Sequence, residues 1–240
     1  MSERSSSSGN PWLVAAGVSK RFGGVQALKD VDLDIVPGEV HGLVGANGAG
    51  KSTFIRMLAG LVSPDSGTIS LEGSEVEIPN AHVASGLGFS FIHQELNLVP
   101  KFSAVENMTL GRPKPRRWGL IDWTSARAEV DEVAARLGIE FDLDLPVEDL
   151  SVADQWLVSI GRALIGDARL IAMDEPTASL SADEADRLFG IIRDLTEHGI
   201  AVLYVSHRLD EILELCDRVT VFKDGLKVMT TGADDLDRMK

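Results

Sequence analysis

Apolar residues fall along this chain in two alternating periods. Near the start the spacing is that of strands: Trp12-Leu13-Val14, then Val31-Asp32-Leu33-Asp34-Ile35, where every second residue is apolar. Glu39 to Val44 is a short, mostly apolar run that reads as a third strand, set off by the turn Pro37-Gly38. Thr68-Ile69-Ser70-Leu71 reads as a fourth, with a turn at Gly73. Together these predict an antiparallel β-layer beside a larger core. Thr53 to Ala59 reads as a helix that Gly60 stops.

Between roughly 97 and 168 the pattern turns helical. Pro113-Lys114-Pro115-Arg116-Arg117 is a polar, basic loop. Thr124 then opens a helix to about Leu137, with Val130, Val133, Ala134 and Leu137 on one face and Gly138 as its stop. A second helix is predicted from Val152 to Ile165. This stretch reads as an inserted helical lobe.

The last third returns to strand and helix in turn. Leu170 to Met173 is an apolar strand, and Ser181-Ala182-Asp183-Glu184 is a capping box opening a helix through Leu188, Ile191, Ile192 and Leu195 to Gly199. The strand Ala201 to Val205 follows. A hairpin closes the chain, Val219 to Lys223, the turn Asp224-Gly225, then Leu226 to Thr230. Parallel strands joined by helical crossovers imply a three-layer α/β core. The expected layout is a disordered tail over 1–10 and one domain over 11–240.

The segment joining the third strand to its helix changes this from a fold into a site. Gly45-Ala46-Asn47-Gly48-Ala49-Gly50-Lys51-Ser52-Thr53 fits G-x-x-x-x-G-K-[ST] without a mismatch, in the strand–loop–helix order that the motif needs. Glycines let backbone N–H groups turn inward around phosphate oxygens, and the helix N-terminus adds its positive end. Gly45, Asn47, Gly48, Ala49, Gly50, Lys51, Ser52 and Thr53 are the expected contacts. Lys51 reaches the terminal phosphates and the Ser52 hydroxyl ligates Mg²⁺. The predicted ligand is a nucleoside triphosphate.

Such a loop needs a second carboxylate site and an activated water. Leu170-Ile171-Ala172-Met173-Asp174-Glu175 supplies both acids at the carboxyl end of a buried strand, where ligands sit in open α/β sheets. Asp174 is the expected metal residue and Glu175 the general base. His207, just beyond the strand Ala201 to Val205, is placed to donate to a γ-phosphate, and Gln94 to contact the metal or the water. His41 and His93 receive no role.

Composition narrows the class. A net charge of −14 lacks the basic footprint of a nucleic-acid binder, so no nucleic-acid partner is expected. Cys216 is the only cysteine, which excludes an internal disulfide and suits a reducing cytosol. No apolar run reaches the length of a membrane span, and the Ser-rich start has no secretory apolar stretch. Work at a membrane would require another chain to hold this one there.

The order Phe22, phosphate loop, Gln94, Leu150-Ser151, Asp174-Glu175, His207 resembles the nucleotide-binding subunits of ABC transporters over nearly the whole chain. The wording of Ile92-His93-Gln94-Glu95-Leu96-Asn97-Leu98 and Gly119-Leu120-Ile121-Asp122-Trp123 is similar to the ATPases of bacterial monosaccharide importers. The resemblance implies a P-loop NTPase core with an antiparallel β subdomain and an inserted helical subdomain. It implies ATP with Mg²⁺ as cofactors, and Phe22 stacking on adenine. It implies Gln94 coupling nucleotide state to a membrane permease, and Ser151 closing over the ATP of a second nucleotide-binding domain. A periplasmic or extracellular sugar-binding protein completes such a system, with this subunit cytoplasmic and peripheral on the inner face of the plasma membrane.

The chain departs from the family at its signature. Leu150-Ser151-Val152-Ala153-Asp154 stands where the family has Leu-Ser-Gly-Gly-Gln. Without those glycines the backbone has less freedom to approach phosphate. Asp154 would repel a triphosphate unless it points away, and Ser151 with Asp154 also reads as a helix cap. Ser181 likewise reads as a helix cap where the family has Asp. Sugar-importer subunits usually carry two fused nucleotide domains, the first with a weakened signature, and one phosphate loop is present here. The expected function is ATP hydrolysis in a head-to-tail dimer that drives a permease. A soluble ABC ATPase uncoupled from transport and a poorly hydrolysing regulatory module are the alternatives.

Overall fold

The structure, a computed structural model, describes residues 10–93, 95–112, 116–117 and 120–237. Gln94, Pro113-Lys114-Pro115, Trp118-Gly119 and residues 1–9 of the expected tail lie outside the described residues. The strands are β1 Leu13–Phe22, β2 Val25–Ile35, β3 Val40–Val44, β4 Ser66–Leu71, β5 Ser74–Glu75, β6 Phe89–Ile92, β7 Arg116–Arg117, β8 Leu120–Ile121, β9 Leu170–Asp174, β10 Ala201–Val205, β11 Arg218–Lys223 and β12 Leu226–Gly232. The helices are α1 Lys51–Leu58, α2 Ala81–Gly86, α3 Ala104–Met108, α4 Trp123–Arg136, α5 Val152–Ile165, α6 Ala182–Glu197, α7 Leu209–Leu215 and α8 Ala233–Asp237.

Two sheets organise the chain. One is antiparallel, in the order β2-β1-β4-β5; the other runs β12-β11-β3-β10-β9-β6. In the second sheet β11, β3, β10, β9 and β6 pair in parallel, and only β12 turns back. β3 therefore leaves the antiparallel layer in which its position in the sequence had put it. The burial explains why. Val40 to Leu43 is buried at every residue, as suits a strand covered on both faces, whereas β2 ends in Leu33 and Ile35 buried on alternate positions.

Alternation along β10 divides the core. Ala201, Leu203 and Val205 point to a cluster with Leu13, Ile35, Leu43 and Phe54 that fills the space between the two sheets and α1. Val202 and Tyr204 point the other way, to a cluster with Ile171, Met173, Ile192, Leu195 and Ile212 under α6 and α7. Helices on one face of this sheet and the antiparallel sheet on the other give the three layers. A third cluster, with Met108, Val130, Ala134, Leu150 and Val158, joins α3, α4 and α5.

Caps end these helices where the sequence supplies them. Ser181 and Glu184 form the reciprocal capping box of α6, and α4, capped by Asp122, begins at Trp123, one residue before Thr124. A second capping box, Ser103 with Glu106, starts the short α3. Arg116–Arg117 pairs with Leu120–Ile121 as a small hairpin where a loop was expected.

The order β3-β10-β9 decides where the site lies. Val205 pairs with Leu43 on one side and with Asp174 on the other. The carboxyl ends of three parallel strands thus meet at one edge, and all three run into the candidate residues.

Candidate nucleotide-binding site

The phosphate loop leaves β3 and enters α1 with its tip in solvent: Ala46, Asn47, Gly48 and Ser52 are exposed, while Ala49 and Gly50 are buried. Two glycines are required by space. A Cβ on Gly45 would lie 2.3 Å from the Phe222 carbonyl oxygen, and one on Gly50 would lie 2.7 Å from that of Ala27. Both also have positive φ. No side chain caps α1, whose N-cap is Gly50, so its first N–H groups have no side-chain acceptor there. Lys51 folds back, its Nζ donating to the carbonyls of Gly45 at 2.6 Å and Ala46 at 3.2 Å. A phosphate competes well for that ammonium, since a charged acceptor makes the stronger hydrogen bond.

The β11–β12 turn props the loop from behind. Gly225 N–H donates to the Ala49 carbonyl at 3.1 Å, and the Gly225 carbonyl accepts from Lys29 N–H at 2.8 Å. Sequence reading recognised Asp224-Gly225 as a turn but not as this support. Phe22, the expected base-stacking residue, ends β1 and is 48% exposed, with Lys20 Nζ 5.7 Å from its ring centre.

Glu175 sits just past β9 with φ of 47°, a left-handed conformation rare for a residue with a side chain. Its N–H donates to the Val205 carbonyl at 2.9 Å, which ties the end of β9 to β10. Its Oε1 is 2.9 Å from Nδ1 of His207, so the structure brings these two predicted residues together. Strain of this kind persists where surroundings over-determine it, and it gathers at functional sites.

Asp174, one residue earlier, is half-buried. Burial, then the charge of Glu175, raises its pKa above the usual carboxylate range, against the opposing charges of His93 and Lys51. His93, which sequence reading left without a role, is thus an electrostatic neighbour of Asp174. A carboxylate held at an unfavourable charge favours a cation beside it. With the Ser52 hydroxyl it makes a hard-oxygen donor pair, the chemistry that Mg²⁺ takes when phosphates supply the rest. Among the described residues no group of three or more His, Cys, Asp or Glu could hold a metal unaided. The raised pKa also has a stability consequence. The ionised carboxylate opposes folding at neutral pH and the protonated one does not, so the penalty fades as pH falls through the folded-state pKa. Asp174→Asn is therefore expected to raise the melting temperature of the nucleotide-free chain in a chelator at pH 7, with a smaller gain on acidification.

Ser151 is not part of this cluster. It caps α5, accepting from Asp154 N–H at 3.1 Å and donating its hydroxyl to Asp154 Oδ2 at 2.7 Å. The other Asp154 oxygen is 3.7 Å from Nη1 of Arg187 on α6, and Arg187 Nη2 donates to the Gly138 carbonyl at 3.1 Å. The acid predicted to threaten a triphosphate is turned into its own helix cap and paired with a cation.

A strand feeding a glycine loop, with two acids at the end of a parallel strand one place removed, is the arrangement of the P-loop nucleotide-binding proteins. Within that class, residues 28–178 match the family model described as ABC transporter, and the chain belongs to that family. It is 49% identical over 222 residues to a ribose import ATP-binding protein of Rubrobacter xylanophilus, covering 92% of this chain and 43% of that protein. It is 46% identical over 231 residues to an arabinose import ATP-binding protein of Azospirillum brasilense, covering 96% of this chain and 44% of that protein. The chain thus spans less than half the length of these relatives. Its fold is that of an ATP-binding cassette of an ABC transporter solved in an ADP conformation, with a TM-score of 0.85 at 25% identity, covering 95% of this chain and 94% of that one.

Proposed function

We propose that this chain binds ATP with Mg²⁺ and hydrolyses it in a head-to-tail pair of nucleotide-binding domains, driving a membrane permease that imports a monosaccharide. The observation that carries this reading is the contact of Glu175 with His207 at the strand edge that also bears the phosphate loop. Gly45, Asn47, Gly48, Ala49, Gly50 and Thr53 present the loop to the phosphates, Lys51 leaves its carbonyls for the terminal oxygens, and Phe22 takes the base. Glu175 accepts a proton from the attacking water. His207, oriented through Nδ1, offers its other nitrogen to the γ-phosphate. Ser52 and Asp174 would hold the Mg²⁺, which supplies charge neutralisation on the phosphates when bound. Gln94 is assigned to the edge of the same site, as metal or water contact and as the link to the permease.

A groove of about 360 Å³ beside His93, lined by Phe91, Leu96, Arg112 and Arg162, gives a permease segment a place to bind. We place residues 97–168 as the helical subdomain on its far side, and the protein at the cytoplasmic face of the plasma membrane. Among the described residues no helix is long and apolar enough to cross a membrane, which fits a subunit held there by others. The names of the ribose and arabinose import relatives support a sugar as cargo and a sugar-binding protein as a further partner. The charge of −14 supports the absence of nucleic acid.

The cap that occupies Ser151 bears on the pairing. Its hydroxyl proton is committed to Asp154, so donating it to a phosphate of another domain would cost a bond inside this chain. We infer that the Lys51–Glu175 site works against an intact Leu-Ser-Gly-Gly-Gln segment supplied in trans. Mixing the chain with a second cassette that carries that segment, its own Walker lysine removed, is expected to raise hydrolysis about tenfold or more above the chain alone. Lys51→Ala in this chain should abolish the gain. Equal rates with and without the second cassette would overturn the reading.

A further inference from the structure

Glu211 is 4% exposed, and the roles above do not use it. Its two oxygens take four partners. Oε1 accepts from Thr177 Oγ1 at 2.6 Å and forms an ion pair with Arg208, whose Nη1 lies 2.7 Å away; Oε2 accepts from Tyr204 OH and Ser206 Oγ, each at 2.9 Å. Thr177 belongs to the turn that follows Glu175. Ser206 and Arg208 are the residues on either side of His207. Among the described residues, no other side chain from outside these two turns bonds to both.

Stability alone gives little reason for such an acid. Glu211 lies on the inner face of α7 with Ile212 and Leu215, where an apolar residue would pack without desolvating a charge. Replacing a buried, paired charge by a hydrophobe is often neutral or stabilising. What the carboxylate adds is geometry, because it accepts several hydrogen bonds at once from donors that come from different strands. Each of the three hydroxyls points its proton at it. Tyr204 stays a neutral donor, since burial first and the Glu211 charge second push its phenol well above the ordinary range.

We propose that Glu211 is a positioning residue for hydrolysis, clamping the turn of Glu175 against the turn of His207 so that their 2.9 Å contact is held before nucleotide arrives. The proposal rests on the reading that Glu175 and His207 serve hydrolysis. Its geometric part, the clamp, stands apart from that reading.

Glu211→Gln separates the two. The amide nitrogen donates where the carboxylate accepted, so at least one hydroxyl must reverse or let go, and Arg208 loses the nearer of its two counter-charges and keeps Asp210 at 3.4 Å. With the second cassette present, Glu211→Gln is expected to bind ATP within about twofold of the parent and to hydrolyse it about tenfold or more slowly in a single turnover. The ring ¹⁵N resonances of His207 should move toward those seen in Glu175→Gln, where the ring faces an amide. Thr177→Val, which cuts one arm of the clamp with little change of shape, should shift both readouts in the same direction by less. Tyr204→Phe takes a phenol hydroxyl away from Glu211 and from Thr177 but leaves Thr177 and Ser206 bonded to the carboxylate, and should shift both readouts by less than Thr177→Val. A fall in melting temperature with the His207 resonances and the hydrolysis rate unmoved, in both Glu211→Gln and Thr177→Val, would make Glu211 a fold brace and overturn the proposal. Moved resonances in Glu211→Gln beside a Glu175→Gln chain that still hydrolyses would leave the clamp standing and overturn the hydrolytic reading instead.

Discussion

Glu175→Gln is expected to bind ATP about as tightly as the parent chain and to hydrolyse it about 10²–10⁴-fold more slowly, the usual worth of a positioned general base. The substitution keeps the size of the side chain, and the amide oxygen still reaches His207 Nδ1, so the turn is not dismantled. The backbone bond from residue 175 to Val205 is untouched. What is lost is the capacity to accept the proton of the attacking water. Nucleotide binding is measured separately, by titration with a fluorescent ATP analogue, because the phosphate loop does not depend on the carboxylate. A single-turnover rate unchanged by the substitution would place the base elsewhere and favour the poorly hydrolysing module as the function of this chain. A His207→Ala chain should fall between the two, since Glu175 keeps its chemistry and loses its orienting partner.

The parts of this site that could be read in the sequence are those whose chemistry is local. The glycine loop has its meaning in nine consecutive residues, and the acids Asp174 and Glu175 stand directly after the apolar strand that places them. The Ser151–Asp154 cap is a three-residue interval and was legible for the same reason. Pairs that depend on tertiary contact were not. Glu211 meets Thr177 across 34 residues and Arg187 meets Asp154 across 33, and no periodicity encodes either. One signal for Glu211 was present: it stands four residues before Leu215, on the apolar stripe of its helix, where an unpaired acid is costly. Short elements were also lost. α2 and α3 have six and five residues, too few for a helical period to emerge, although the Ser103–Glu106 box marked the start of α3. The placement of β3 shows the limit on the other side. Its five residues read correctly as a strand, and nothing in five residues says which of two sheets they join. Burial on both faces decides that, and it is supplied by β10 and β11, which lie more than 150 residues further on.

The largest expected loss of stability lies at the opposite end of β3 from the phosphate loop. Arg218→Ala should destabilise the chain by about 3 kcal/mol, at the lower end of what breaking a buried ion pair costs. Glu39 is 1% exposed, and its two oxygens lie 3.3 and 3.4 Å from Arg218 Nη1. Burial alone would lower the pKa of that guanidinium; the charges of Glu39 and Asp34 more than offset this, and the net shift is upward. Without Arg218, Glu39 keeps, among the described residues, the Val36 N–H at 2.9 Å and the His41 ring at 3.2 Å, and the carboxylate stays out of water. Arg218 is 25% exposed, so water reaches the gap it leaves and holds the loss at the low end. For a chain of this size the loss corresponds to a fall of roughly 6–12 °C in melting temperature. Two controls separate charge from packing. Asp34→Asn breaks the other arm of Arg218 at 2.8 Å, but Asp34 is 43% exposed, so about 1 kcal/mol or less is expected. Glu39→Gln added to Arg218→Ala should recover part of the loss, because it removes the unpaired charge while restoring none of the guanidinium contacts. If the double variant is no more stable than Arg218→Ala alone, the cost lies in packing, and Glu39 is better solvated than its burial implies.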